Sequence, residues 1–121
     1  MAEKLVIMLT HGPDHPEHAS IPFVMAVAAL ASDVEVVVGL QASGVELAVK
    51  GVAEGVNAEA FPPLSKLMSD YQELGGKLLL CGPCVKSRHL DVENGLVENA
   101  EVVAAARFIA EVTSATNALV Y

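Results

Sequence analysis

The two cysteines of the chain stand three positions apart in Cys81-Gly82-Pro83-Cys84. A C-x-x-C pair supports redox cycling, metal binding or sulfur chemistry. The pair follows the apolar run Leu78-Leu79-Leu80 without a break. Cys81 therefore ends a buried strand, and the Gly-Pro turn leads into a helix. A helix N-terminus carries partial positive charge, which stabilises thiolate and lowers a thiol pKa. Lys86, Arg88 and His89 add positive charge nearby.

Each chemistry makes its own demand. Free cysteine is among the most buried residue types, so one reading is packing alone. Thioredoxins use Cys-Gly-Pro-Cys for redox, but their fold needs a long stretch after the motif, with a cis-proline facing the thiols. The segment after Cys84 is short and contains no proline, and the tryptophan that usually precedes the motif is missing. A reversible Cys81–Cys84 disulfide remains open as chemistry. Tetrahedral zinc needs two ligands beyond the two thiolates. His11, His15, His18 and His89 are the available imidazoles. Their spacing marks no ligand pair, and His15 and His18 read as a solvated loop, so no metal is expected. In the fourth reading, a thiolate on a strand-to-helix turn accepts a sulfane sulfur as a persulfide and passes it on.

The elements that must position these residues follow from periodicity. Lys4 to Thr10 carries a continuous apolar run, and Val34 to Leu40 and Lys77 to Cys81 are two more apolar-rich segments of strand length, as in strands buried on both faces. Asn117 to Tyr121 reads as a last short strand. The loop His11-Gly12-Pro13-Asp14-His15-Pro16 leads to a helix ending at Ala31, with Pro22 placing its start near Ser20 as N-cap. Val45 to Val49 reads as a short helical segment, and 51–60 as a loop or a short strand. A helix over Leu64 to Leu74 presents Leu64, Leu67, Met68 and Tyr71 on one face and stops at Gly75-Gly76. A short helix is expected from Cys84 and a longer one over Ala100 to Val112. This alternation predicts an α/β fold: one domain over residues 1–121, with a mostly parallel sheet and helices on both faces. Four strands are clear, and a fifth depends on 51–60. Function in such sheets sits at the carboxyl ends of the strands, which brings the His11 loop and Cys81 to one edge.

A net charge of −8 and the lack of a Lys/Arg cluster disfavour nucleic acid and anionic membranes as partners. No apolar run reaches 18 residues, so no membrane span is expected. Met1-Ala2-Glu3-Lys4 leads directly into a strand without the features of a signal peptide, which reads as cytoplasmic. A mean hydropathy of +0.47 is high for a small monomer and points to a homo-oligomer. Gly75-Gly76 precedes a strand rather than opening a helix, so no nucleotide cradle and no cofactor are expected. Asp14, Glu17 and Asp91 form no paired-carboxylate pattern.

At these residues the sequence resembles the DsrE/DsrF family, which includes TusD-type sulfur relay subunits. The resemblance runs through Thr10-His11-Gly12-Pro13-Asp14-His15-Pro16-Glu17, Val34-Glu35-Val36-Val37-Val38 and Gly44-Val45. It is sharpest from Pro63 to Arg88. It implies a five-stranded α/β unit in trimers or hexamers. Cys81 matches the position of the family's sulfur-accepting cysteine, and Cys84 a second cysteine found in some members. The sequence departs from the pattern at His89, where the family usually has glycine. The resemblance implies a sulfur carrier or sulfurtransferase component. Its partner would be a sulfur donor or acceptor protein, or a small sulfur compound. Cys81 would be the acceptor and Cys84 a resolving or supporting thiol; Arg88 and the backbone N–H groups after Gly82 would stabilise the thiolate, and His11 would border the pocket as hydrogen-bond donor or proton shuttle. The alternatives are a metal- or small-ligand-binding homo-oligomer and a Cys81/Cys84 dithiol redox protein.

Overall fold

Five strands form one parallel sheet in the computed structural model, which describes residues 3–121. They are β1 (Lys4–Leu9), β2 (Glu35–Leu40), β3 (Lys77–Cys81), β4 (Ala100–Val103) and β5 (Asn117–Val120). Their order across the sheet is β4-β3-β2-β1-β5. The helices are α1 (Pro16–Ala31), α2 (Leu64–Glu73), α3 (Gly82–Ser87) and α4 (Ala105–Thr113), with short 3-10 turns at Ala42–Ala48 and Ala53–Gly55. No helix among the described residues is long and apolar enough to cross a membrane.

The two-residue period of a strand divides each apolar run between the two faces. Ile7, Leu9, Val36, Val38, Leu40, Leu78 and Leu80 point into the main core, against Ala19, Phe23 and Ala26 of α1 and Leu64, Leu67, Met68 and Tyr71 of α2. Val6, Met8, Val37 and Leu79 point to the other face and meet Phe108 of α4. Helices thus cover both faces, and the single-domain α/β fold expected from the sequence is the fold observed.

Several element boundaries differ from expectation. The fifth strand is not in 51–60, which holds a 3-10 turn and loop; it is Ala100–Val103, the start of the segment expected to be helical. Ala100 and Val102 pack partly buried against the main core, while β4 pairs with β3 along the sheet edge. Edge pairing therefore overrides the helical preference of the alanines, and α4 starts only at Ala105. Helix α1 begins at Pro16, whose missing N–H is harmless in a first turn. Pro22 lies inside the helix and is buried with Ala19, Phe23 and Ala26. Packing of this face outweighs the lost hydrogen bond. Ser20 is consequently not an N-cap; it is buried in the helix, and its hydroxyl has no partner among the described residues. Helix α3 starts at Gly82 rather than Cys84.

Tyr71 fixes the path from α2 into β3. Its hydroxyl accepts the Val38 N–H at 3.2 Å and donates to the Lys77 carbonyl at 2.5 Å, joining β2 to β3 where their pairing begins. Burial pushes its pKa well up, so it stays protonated. Gly75 has φ +89 and ends the helix, and a Cβ on Gly76 would overlap the Tyr71 ring. Tyr71→Phe is expected to cost about 1–2 kcal/mol, because the buried Val38 N–H and the part-buried Lys77 carbonyl both lose the hydroxyl. Urea unfolding followed by circular dichroism checks this, and an unchanged midpoint would contradict it.

A dithiol at the carboxyl edge of the sheet

Cys81 is the last residue of β3 and the residue before α3; it pairs in register with Val103 of β4. Strand alternation puts its side chain on the Leu79 side of the sheet, and it packs half-buried against the edges of both apolar clusters. Cys84, in the first turn of α3, is also half-buried. Its thiol donates to the Cys81 sulfur across 2.9 Å, and both cysteines are free. One helical turn between β3 and α3 thus brings the two sulfurs into contact.

A third contributor comes from the end of β2. The Ala42 N–H donates to the Cys84 sulfur at 3.2 Å. Ala42 has φ +50, a left-handed conformation that costs an L-residue about 1–2 kcal/mol. The surrounding turn holds it there. Gln41 N–H bonds the Leu9 carbonyl at 3.0 Å, Gly44 N–H bonds the Gln41 carbonyl at 2.9 Å, and Ser43 Oγ donates to the Thr10 carbonyl at 3.3 Å. A Cβ at Gly12 would lie 2.6 Å from the Ser43 oxygen, and one at Gly44 would overlap the Leu9 carbonyl. Glycine at both positions lets the loops after β1 and β2 press together and aim Ala42 at the thiols. Nothing in the sequence marks Ala42, because a backbone donor has no residue-type signature.

The electrostatics differ from the sequence expectation of a lowered Cys81 pKa. Burial pushes the Cys81 thiol up, and its side-chain hydrogen bond with Cys84 and repulsion from a Cys84 thiolate push the same way. The Cys84 N–H and the charge of Arg88 pull it down but do not prevail. Helix α3 is six residues long, too short for a full helix dipole to offset desolvation.

Arg88 is exposed and folds back along α3. It pairs with Glu46 at 3.6 Å and donates to the Cys84 carbonyl and Ser87 Oγ, each at 3.3 Å. It acts on Cys81 through its charge, from a position fixed by Glu46. Gly82 opens α3, where a Cβ would come within 3.2 Å of the Val103 carbonyl. His89 is exposed with φ +53, in the left-handed position that closes α3, and its N–H bonds the Lys86 carbonyl at 3.1 Å. Histidine here holds the left-handed conformation that glycine takes freely. His89→Gly is expected to stabilise the chain by about 0.5–1 kcal/mol, the strain relieved less the extra unfolded-state entropy of glycine. A thermal melt reads this, and a lower midpoint would contradict it.

His11 sits on the loop after β1, two strands along the same edge from β3, with the Ala42–Gly44 turn after β2 between it and the dithiol. It is half-buried, and its Nδ1 is buried with no partner among the described residues. His15 and His18 are exposed, as a solvated loop requires, but the three rings pack together with centroids 4.6 to 6.2 Å apart. The sequence spacing had not shown this cluster. Among the described residues, no three His, Cys, Asp or Glu side chains converge as metal ligands.

A doubly covered, all-parallel five-stranded sheet with a cysteine ending β3 at its carboxyl edge defines a class of small α/β proteins with an edge thiol. The match of residues 3–121 to the model of the DsrE/DsrF-like family is specific: the chain belongs to that family. It is 30% identical over 118 residues to the uncharacterized protein MJ0989 of Methanocaldococcus jannaschii, covering 98% of this chain and 99% of that one. It is 32% identical over 107 residues to the uncharacterized protein MJ0760 of the same organism; this covers 88% of this chain but only 38% of MJ0760. Among solved structures, the fold is similar to the YchN protein of E. coli, with a TM-score of 0.82 at 16% identity, covering 98% of this chain and 99% of that one. It is also similar to the protein of unknown function MTH1491 of Methanobacterium thermoautotrophicum, with a TM-score of 0.67 at 16% identity, covering 95% and 96% of the two chains.

Proposed function

We propose that the chain is a sulfur carrier in which Cys81 accepts sulfane sulfur as a persulfide. The observation that carries this reading is Cys81, partly buried at the end of β3, with its sulfur 2.9 Å from a second thiol. Membership of a family with sulfur-relay members supports it.

In loading, the Cys81 thiolate attacks the outer sulfur of a donor persulfide. A bond forms between the Cys81 sulfur and that outer sulfur, the donor's S–S bond breaks, and the donor leaves as a thiolate with the electron pair. In unloading, an acceptor thiolate attacks the same outer sulfur and Cys81 departs as thiolate. Neither step changes the net redox state. Arg88 favours the anionic forms of Cys81, and the Cys84 N–H donates to its sulfur. His11, with its unpartnered Nδ1, serves as the proton donor or acceptor at the rim of the same edge. The donor or acceptor is a thiol protein or a small sulfur compound, and the working form is a homo-oligomer in the cytoplasm.

Cyanide tests the reading by capturing sulfane sulfur as thiocyanate. Cys84→Ser protein incubated with a persulfide donor and freed of it is expected to yield thiocyanate, at no more than one per chain. None from such a preparation would contradict the proposal.

A further inference from the structure

The contact between the sulfurs gives a loaded chain a second fate, one that rests on the carrier reading. A persulfide on Cys81 has an inner sulfur, the Cys81 Sγ, and an outer one. The Cys84 Sγ already lies 2.9 Å from that inner sulfur. It is fixed there by one turn of α3 and by the Ala42 N–H at 3.2 Å. Reacting atoms held about 3–3.5 Å apart react as if at very high concentration. An external acceptor must instead diffuse to the outer sulfur.

We propose that the chain also reduces sulfane sulfur to sulfide: Cys84 attacks the inner sulfur of the Cys81 persulfide, forming the Cys81–Cys84 disulfide and expelling hydrosulfide. The balance closes within the chain. The Sγ–Sγ bond forms, the bond between inner and outer sulfur breaks, and the outer sulfur leaves with the electron pair as HS⁻. The sulfane sulfur gains two electrons, and the two cysteine sulfurs together lose two. The proton of the Cys84 thiol passes to solvent or to the departing sulfide. Disulfides linking such closely spaced cysteines reopen by thiol exchange, so a dithiol reductant closes the cycle. The substrates are therefore persulfides or polysulfides, and the co-substrate is a small or protein dithiol.

The reaction competes with relay. With an acceptor thiol present, the sulfur is passed on; without one, it is discharged as sulfide and the chain waits oxidised. The Ala42 turn is the positioning element that holds Cys84 for this attack.

The test loads the full-length chain with a persulfide donor, removes the donor and follows free sulfide, free thiols and intact mass. The wild type is expected to release one sulfide per chain while losing both thiols and the added sulfur, and dithiothreitol should restore the thiols. Cys84→Ser and Cys84→Ala are expected to keep the added sulfur and release sulfide at least roughly tenfold more slowly, the loss of a pre-positioned nucleophile. Equal release from wild type and both variants overturns the proposal, as does a wild type that keeps its persulfide. In either of those cases the carrier reading stands, because sulfur has been taken up. If neither wild type nor variants take up sulfur, the carrier reading fails and this proposal fails with it.

Discussion

Cys81→Ser is expected to reduce sulfur loading to the level of a chain lacking both cysteines. The serine hydroxyl keeps the size and the turn but is not a nucleophile toward sulfane sulfur near neutral pH, where a thiol supplies some thiolate. Cys84 does not substitute. Its sulfur is turned toward Cys81 and occupied by the Ala42 N–H, so its approach to a donor is restricted. Cys84→Ser should only weaken loading, since Cys81 keeps its exposure, its Arg88 neighbour and the N–H of residue 84. The pH dependence carries the same signature. Burial and Cys84 raise the Cys81 pKa, so the fraction of reactive thiolate rises with pH and is still rising above about 8.5, where an ordinary exposed thiol is half ionised. Removing Cys84 removes two of the causes that raise it, so the alkylation profile of Cys84→Ser should shift to lower pH. Loading of Cys81→Ser at the wild-type rate would contradict the assignment of the acceptor.

Phe108→Ala has the largest expected effect on the fold, about 3–5 kcal/mol destabilising by chemical denaturation. Helix α4 buries a single residue, Phe108, and that ring caps Val6, Met8, Val37 and Leu79 on their face of the sheet. Gly39 makes room for it: a Cβ there would lie 2.8 Å from the Phe108 ring and 2.7 Å from the Met8 sulfur. Four sheet residues therefore lose most of their cover with one side chain, whereas the opposite face is covered by both α1 and α2. The ion pairs around α4 do not replace that packing. Glu111 bonds Lys4 and Arg107, each at 2.7 Å, which holds its carboxyl below the usual range. Such a carboxylate contributes stability above its unfolded pKa, and the contribution fades as the pH falls through the folded value. Cys81 packs against the same small cluster, so its thiol should also alkylate faster in Phe108→Ala. A loss below about 1 kcal/mol would show that α4 is held by other contacts.

Much of the fold could be read from the sequence because both-face burial leaves a strong mark. Three apolar-rich segments of strand length became β1, β2 and β3, and the spacing of Leu64, Leu67, Met68 and Tyr71 became the buried face of α2. The misreadings fell where local preference and packing disagree. Ala100-Glu101-Val102-Val103 lacks a continuous apolar run because it lies at the sheet edge, and the alanines that follow extended the helical pattern backwards. Pro22 signalled a helix start, but the buried face of α1 runs straight through it. At the site, the C-x-x-C pair was visible because its chemistry depends on side chains. The Ala42 donor and the packing of His11, His15 and His18 were not, since each arises from where loops meet. The Cys81 pKa was misjudged for a related reason: charge can be counted in a sequence, whereas desolvation depends on the fold.

The central claim is that Cys81 takes up sulfur, and the Cys84→Ser protein tests it most directly, because Cys81 is then its only cysteine. Its intact mass would be recorded after incubation with a persulfide donor, before and after reduction. The expected result is a gain of one sulfur atom per chain that reductant removes. An unchanged mass, under conditions in which a small thiol is loaded by the same donor, would contradict it.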